Sequence, residues 1–352
     1  MYKKITLLIV VIIVLSMSVL TVFSNRTISY LERRYLDTFP KVDLADPDFY
    51  EDLDDYLSDH LFFRDELITL RNLTNRYLFH FKDNDGVYSK DGYLFDILKF
   101  DAESVIDLIF KTNELKDSYF SDREVYFIGI PRKNDYSELY HPSDLRFDDI
   151  RQLLIDGLDM PLIDISGLLS LDSYYHTDIH WRQDKLKDVA RYTVEAIGDI
   201  YVPVTTEARE VYPFYGSLFS RSFYDVNPDI LYYLEGDFTG VRVYDLEKDS
   251  EVPVYDKEAT THPDLYDIYL DGPSAYLRIE NEDAKIDQRL IVFRDSFASS
   301  LLPLLIDSYS RIDVIDLRYF DASLIESLDL DDKAKVLFIY GSEFINQSGA
   351  LR

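Results

Sequence analysis

The chain has 352 residues, and its hydrophobic fraction of 47% is enough for a sizeable buried core. It carries 66 acidic and 37 basic residues, a formal charge of −29, and such a surface repels phosphate backbones, which argues against a nucleic-acid partner. Cysteine is absent, which excludes disulfides, thiolate metal sites, cysteine nucleophiles and a lipoprotein anchor.

The first segment predicts a membrane anchor. A pair of lysines precedes nineteen residues without a charge, Ile5 to Phe23. A run of this length approaches the roughly 20 residues that cross a bilayer, whereas a cleaved signal peptide usually has about 7–15 apolar residues. The alternative is a cleaved signal with a poor site at Ser24. We expect residues 1–24 to form a single-pass, uncleaved signal anchor that leaves the rest of the chain outside the cytoplasm.

Residues 25–85 predict a helical, membrane-proximal segment. Apolar side chains recur there near helical spacing, with acidic residues on the other face. They are Phe49, Leu53, Tyr56, Leu57, Leu61 and Leu67. Turn signals at 84–86 and 90–92 then mark a boundary, and we expect a separate α/β domain over residues 86–352.

Beyond this boundary, short apolar runs alternate with helical stretches. Strand-like runs rich in Val and Ile lie at 124–131, 161–166, 289–296, 311–318 and 335–342. Runs of this kind, separated by helices, are typical of a parallel sheet that is covered on both faces. The region 201–285 breaks the alternation and predicts inserted antiparallel strands. The predicted fold class is therefore α/β, with a mostly parallel sheet, flanking helices and a β-rich insertion.

Two segments carry residues that are typical of nucleophilic catalysis. Ser296 follows a strand-like run and precedes a helix-like run, and functional groups gather at such strand ends in open parallel sheets. The amino end of a helix also favours an oxyanion that forms beside it. His180 supplies an imidazole, and Asp178, two positions earlier, supplies a carboxylate that would fix the tautomer of this imidazole. Together they predict a Ser–His–Asp triad with Ser296 as nucleophile.

Each of these patterns also has a plainer interpretation. A serine at a strand-to-helix turn is more often a helix cap than a nucleophile. Asp178, His180 and His176 supply three possible metal ligands, but no established metal-binding spacing accompanies them. We expect neither a metal nor a cofactor.

The chain resembles the DHHW family of bacterial exported proteins, which is related to the SGNH-hydrolase-like domains of the alginate O-acetylation proteins. The motif that names the family aligns with Thr177–Trp181, where Ile179 replaces the first His and the Asp–His pair is kept. Residues 292–305, "VFRDSFASSLLPLL", resemble its nucleophile block, with Arg294 where Gly or Lys is more usual. Further similarities extend the resemblance over roughly residues 25–345.

The resemblance implies a catalytic triad of Asp178, His180 and Ser296 on a flavodoxin-like sheet, permuted relative to ordinary SGNH hydrolases. In such proteins the serine takes an acyl group, usually acetyl, and passes it to a polysaccharide hydroxyl or to water. The implied partners are a polysaccharide acceptor and a membrane-bound O-acyltransferase that supplies acetyl groups. The alternative is a non-catalytic glycan-binding or scaffold subunit; it is favoured by Arg294, whose side chain would crowd or charge the nucleophile turn, and by the Tyr-rich composition, with 29 tyrosines.

Five further residues are candidates for substrate binding or for the oxyanion hole. Trp181 either walls a sugar site or packs beneath the histidine, and Gly216 is a candidate for a second oxyanion N–H. The other three are expected to line the cleft or its rim; they are Lys133, Tyr136 and Tyr175.

Overall fold

The structure is a computed structural model, and it describes residues 26–352 apart from 82, 139–143, 223, 348 and 350–352. Before residue 26 it describes only residues 5–6, 11–12, 16–17 and 20–21. Within these described ranges, no helix has the length and apolar character that crossing a bilayer requires. The predicted anchor over 1–24 lies mostly outside the described residues and stays a prediction.

Residues 26–85 contain a short strand pair and two helices. They are β1 (Ile28–Ser29), β2 (Arg34–Tyr35), α1 (Pro47–Asp59) and α2 (Arg64–Tyr77). Asp46 caps α1, because its carboxylate accepts the backbone N–H of Asp48 and a proline occupies the first helical turn. Arg34 donates to the Asp59 carboxylate over 2.7 Å, which ties the strand pair to the end of α1.

The rest of the chain alternates between strands and helices. In chain order these are β3 (Val87–Lys90), β4 (Tyr93–Asp96), α3 (Ala102–Tyr119), β5 (Val125–Ile130), α4 (Phe147–Gly157), α5 (Lys187–Ala196), β6 (Thr206–Phe214), α6 (Ser217–Ser222), β7 (Asp229–Gly236), β8 (Val241–Asp245), β9 (Ser250–Val252), β10 (Tyr276–Asn281), β11 (Arg289–Arg294), α7 (Phe297–Leu301), β12 (Arg311–Ile315), β13 (Lys335–Gly341) and α8 (Ser342–Ile345). Short 3₁₀ turns connect many of them.

A seven-stranded sheet organises the domain, in the order β5-β13-β11-β12-β10-β8-β9. The strands β5, β13, β11 and β12 are parallel, and β10, β8 and β9 continue the sheet with antiparallel pairing. The predicted α/β class, with a large sheet and flanking helices, is confirmed. The β-rich insertion is divided: β8, β9 and β10 extend the main sheet, whereas β6 and β7 form a separate antiparallel hairpin.

One predicted strand is wrong. Residues 161–166 make a single parallel bridge, between Leu162 and Phe127 of the edge strand β5, and then enter a 3₁₀ turn. The Ile163 N–H donates to the Phe127 carbonyl, but Pro161 has no N–H to extend the ladder. A short apolar run therefore lies against the sheet edge without becoming a strand.

The central strand β11 shows why these runs are apolar throughout. Leu290 and Val292 face one buried cluster, and Ile291 and Phe293 face the other, because successive side chains of a strand point to opposite faces. Each such side chain contributes about 1.5–3 kcal/mol when it leaves water. Both faces are covered, so the polar residues at the carboxyl ends of the parallel strands stand at the rim of a rigid core.

Candidate active site

The turn after β11 presents Ser296 at the carboxyl edge of the sheet. Asp295 fixes this turn: one carboxylate oxygen accepts the Phe297 N–H over 3.0 Å, and the other accepts the Gly341 N–H over 2.7 Å. The first bond engages the N–H of the first residue of α7, and the second joins the turn to the end of the neighbouring strand β13. Ser296 is therefore held between two strands of the parallel part of the sheet.

A tight loop of residues 174–181 brings the Asp–His pair to the same edge. Its ends meet through a bridge between Tyr174 and Trp181. Inside the loop the buried Lys133 ammonium donates to three backbone carbonyls, of Tyr175, His176 and Asp178, over 3.1, 3.2 and 2.7 Å. Burial lowers the pKa of Lys133 to about 8, against the attraction of nearby carboxylates.

The three side chains form a continuous chain of hydrogen bonds. His180 Nε2 lies 2.8 Å from Ser296 Oγ, and His180 Nδ1 lies 2.5 Å from Asp178 Oδ1. Because ionised Asp178 can only accept, Nδ1 carries the proton and Nε2 is free to accept from the serine hydroxyl. The arrangement suits a general base acting on a nucleophilic serine.

Asp178 is buried and stays an anion. Its second oxygen accepts the Ser217 N–H over 2.6 Å and the Arg33 guanidinium over 2.9 Å. Burial by itself raises the pKa of Asp178, but His180 and Arg33 together hold it well below its usual range. The anion can therefore stabilise an imidazolium that forms during a reaction.

Aromatic rings hold the imidazole in place. The Tyr266 ring stacks on His180 with centroids 4.0 Å apart and an interplanar angle of 15°, and Phe297 packs against it at 4.9 Å. Trp181 is fully buried and donates from Nε1 to the Phe297 carbonyl over 2.9 Å. Its ring packs against Phe297 with centroids 5.7 Å apart, and Phe297 packs against His180, so the structure supports a packing role and leaves no ring face of Trp181 open to a sugar.

Three other predicted site residues lie outside the cleft. The prediction that Lys133 lines the cleft is wrong, because its ammonium is buried and donates to three carbonyls of the loop. Tyr136 is half-buried and donates to the Ser166 carbonyl over 2.9 Å, and Tyr175 is buried with its hydroxyl 3.3 Å from the Tyr232 N–H. Their positions near the motif are real, but the side chains point into the protein.

Gly216 is also wrong as an oxyanion donor. Its N–H donates to Thr177 Oγ1 over 2.9 Å and is not available to a substrate. A Cβ at this glycine would stand 2.3 Å from Asp178 Cβ and 2.5 Å from the Asp178 backbone. The residue is needed so that two backbones can approach each other behind the triad.

The metal alternative does not match the geometry. His176 Nδ1 lies 2.9 Å from Asp229 Oδ1, on a different partner from the Asp178–His180 pair. Over the described residues, no group of three or more His, Cys, Asp or Glu is arranged to hold a metal ion. His176, Asp178 and His180 therefore do not converge on one point.

A small cleft of about 250 Å³ opens over Ser296 and His180, and we call it the triad cleft. Its charged and polar lining includes Arg33, Asp264, Tyr266, Asp267, Arg294 and Arg318. Burial and the neighbouring Asp264 raise the pKa of Asp267 to about 7. The cleft is about the size of a small acyl group with its leaving group, and it is smaller than most drug-sized sites.

Arg294 is buried at the wall of the triad cleft. Its Nη1 donates to Ser299 Oγ over 2.8 Å, and the 2.8 Å contact between Ser296 and His180 is intact beside it. Crowding of the nucleophile turn by this side chain, one of the two effects that would favour the scaffold alternative, is not observed. The other effect, a positive charge next to the serine, is present.

Three residues at the site were not predicted from the sequence: Arg33, Ser217 and Tyr266. Arg33 comes from the turn between β1 and β2, 145 positions before the aspartate that it contacts. Its side chain is 9% exposed and also pairs with Asp264. Because Arg33 lies in a highly charged segment, nothing in the sequence distinguishes it from its charged neighbours or indicates its contact with Asp178.

We expect Arg33→Met to move the acid limb of the pH–rate profile to higher pH and to lower kcat/KM at pH 6 by about tenfold. Arg33 is one of the two cations that hold the pKa of Asp178 low, so without it this carboxyl is protonated at higher pH and no longer supports the imidazole there. Hydrolysis of p-nitrophenyl acetate between pH 5 and 9 measures the shift. Arg33→Lys should restore part of it, whereas an equal loss at every pH would mean that Arg33 has only a structural role.

The similarity of this chain to known proteins lies in its three-dimensional structure. No protein-family model and no curated protein match the chain. It is similar to a solved DHHW family protein from Eubacterium siraeum DSM 15702, with a TM-score of 0.64 and 21% identity over 76% of this chain and 94% of that one. It is also similar to Bacillus cereus PatB1, with a TM-score of 0.60 and 21% identity over 74% and 97%. The resemblance stated from the sequence is thus confirmed at the level of the fold.

Proposed function

We propose that the chain is a serine-dependent O-acyltransferase or esterase of the SGNH-like type, which moves acetyl groups on a cell-surface or exported polysaccharide. The observation that carries the proposal is the unbroken series of contacts from Ser296 through His180 to Asp178, at 2.8 and 2.5 Å. The fold shared with a DHHW family protein supports it, since the resemblance implies this chemistry for these residues.

The reaction has two steps. Ser296 Oγ attacks the acyl carbonyl while His180 Nε2 takes the hydroxyl proton, and the tetrahedral intermediate then breaks its bond to the leaving group, which takes that proton. The acyl group is now an ester of Ser296. In the second step an acceptor hydroxyl, or water, gives its proton to His180 and attacks the ester, and the proton returns to Ser296. Asp178 stays ionised and stabilises the imidazolium in both steps.

The charge that develops on the carbonyl oxygen meets positive groups. Arg294 and Arg318 line the triad cleft together with Ser296, although the chain as a whole has a net charge of −29. Fixed cations in a small, partly closed site stabilise an oxyanion more strongly than they would in water.

The proposed place of action is the outer face of a cell membrane. The uncharged run from Ile5 to Phe23 supports an anchor, and the absence of cysteine is compatible with export. A membrane-bound O-acyltransferase is the proposed acetyl supplier, as the resemblance implies. We propose the transferase or esterase role over the scaffold alternative, because a serine in an open cleft with an engaged base has no use in a scaffold.

Covalent labelling tests the nucleophile. Sulfonyl fluorides modify serines that a base activates, and a PatB1 structure carries a sulfonyl adduct. We expect the full chain in detergent micelles to gain one phenylmethylsulfonyl group in its intact mass and to hydrolyse p-nitrophenyl acetate. Ser296→Ala should lose both, and Ser299→Ala, which changes another serine of the triad cleft, should keep the label. A folded native chain without label or turnover would contradict the proposal.

A further inference from the structure

We infer that a second groove, next to the triad cleft, binds the acceptor as a neutral oligosaccharide. The groove has a volume of about 680 Å³, within the usual range for ligand sites. We call it the tyrosine groove; its lining includes Tyr30, Tyr212, Tyr215, Tyr233, Leu265 and Ile268. The inference rests on the proposed function, because it names the substrate that the acyl-serine would modify.

The chemistry of the lining fits sugar rings. Tyr30 and Tyr212 are 52% and 67% exposed, so their ring faces are open to a ligand. Among the described residues, none of the four phenol hydroxyls has a hydrogen-bond partner, although buried tyrosines of this chain, such as Tyr266, do have one. Open ring faces with free hydroxyls at their edges can stack on the apolar face of a sugar and bond to its hydroxyls.

The tyrosine groove and the triad cleft share their walls. Leu265 lines the groove and Tyr266 lines the cleft; likewise Tyr215 and Ser217 lie on the two sides of one segment. The N-terminal turn repeats this, with Leu31 at the groove and Arg33 at the cleft. In each of these three segments, one residue lines the groove and a residue one or two positions later lines the cleft.

This continuity explains why the groove suits an acceptor and not the acyl donor. The triad cleft, at about 250 Å³, holds an acetyl ester and little more, so a polymer has to bind beside it. A sugar hydroxyl that reaches over the shared wall attacks the acetyl ester of Ser296. Its proton goes to His180, the new C–O bond forms on the sugar, and the bond to Ser296 Oγ breaks.

The charges favour a neutral glycan over an acidic one. The two charged residues of the groove are Glu210 and Lys257, and Lys257 is paired with Glu235. The one cation of the groove lining is therefore already paired, and Glu210 adds a negative charge in a chain whose net charge is −29. A chain of uronic acids would therefore be repelled, while neutral sugars pay no such cost.

Binding and transfer to neutral oligosaccharides test the inference. The probes are cellopentaose, mannopentaose and N-acetylchitopentaose, with pentagalacturonate as the acidic comparison, measured by calorimetry with the full chain in micelles. We expect at least one neutral probe to bind and to receive acetyl from p-nitrophenyl acetate, detected by mass. Tyr212→Ala and Tyr30→Ala should each weaken binding by about tenfold, and Tyr212→Phe, which keeps the ring, should weaken it by less.

The controls separate this inference from the proposed function. Tyr77→Ala, which removes a tyrosine that is 64% exposed outside the groove, should leave binding unchanged. All groove variants should hydrolyse p-nitrophenyl acetate at the native rate. If Ser296-dependent hydrolysis occurs but no neutral probe binds, or if only pentagalacturonate binds, the groove inference is overturned and the proposed function stands. If hydrolysis does not depend on Ser296, the proposed function fails first.

Discussion

His180→Ala is expected to hydrolyse p-nitrophenyl acetate about 10⁴-fold more slowly than the native chain. The alanine variant loses the base that sits 2.8 Å from Ser296 Oγ, so the serine stays a neutral, weak nucleophile. Combining it with Ser296→Ala should cost little more, because residues of one triad act as a unit and their effects do not add. Initial rates of the two single variants and the double variant measure this.

His176→Ala is the matched control for this experiment. It changes a histidine four positions away whose ring contacts Tyr93 and Asp229 and lies outside the triad. We expect its rate to stay within about threefold of the native rate, since no reacting atom loses a partner. If the losses at His180 and Ser296 multiplied in the double variant, the two residues would be acting independently and the triad assignment would be wrong.

Gly216→Ala is expected to lower both activity and stability, the rate by about 10²-fold and the free energy of unfolding by about 1–3 kcal/mol. The added methyl would stand 2.3 Å from Asp178 Cβ, and its other close neighbours are backbone atoms, which cannot rotate away. Asp178 must then shift, and the 2.5 Å contact with His180 shifts with it. Urea unfolding and p-nitrophenyl acetate hydrolysis measure the two effects.

Gly167→Ala is the control that separates the steric effect of an added methyl group from the general effect of replacing a glycine. A Cβ at this exposed glycine meets no atom within 4 Å, so we expect native activity and a change in unfolding free energy below about 0.5 kcal/mol. If Gly216→Ala were as stable and as active as the native chain, the close approach of this glycine to Asp178 would not matter for the triad, and the role assigned to it would be wrong.

The core of the site was predictable because its geometry is encoded locally. Asp178 and His180 are two positions apart, and a carboxylate at that spacing can reach the ring of its own histidine in a turn. Ser296 lies two residues after the end of the strand's apolar run at Phe293, separated from it by Arg294 and Asp295, and a strand that is buried on both faces places such residues at the sheet edge. The expectation that the two segments meet needed only a parallel sheet, whose carboxyl ends lie together.

The rest of the site depends on contacts that the sequence does not encode. Arg33 and Tyr266 reach the triad from segments far away in the chain, and nothing in their surroundings distinguishes them from other Arg and Tyr residues. Lys133 and Gly216 were predicted near the site and are near it, but the Lys133 ammonium and the Gly216 N–H bond to groups of the protein and do not face the cleft. Proximity follows from the fold, whereas the direction of a side chain depends on packing in three dimensions.

The place of β13 in the sheet decides when this chemistry first exists. It is the last strand along the chain, yet it lies between β5 and β11, and its end holds the turn of Ser296 through the bond from Gly341 to Asp295. Until residues 335–341 have been made and inserted, β11 lacks one neighbour and that turn lacks its support. Contacts between such distant segments form late in folding. A growing chain therefore lacks this support, and the geometry around Ser296 is complete only after β13 has been inserted.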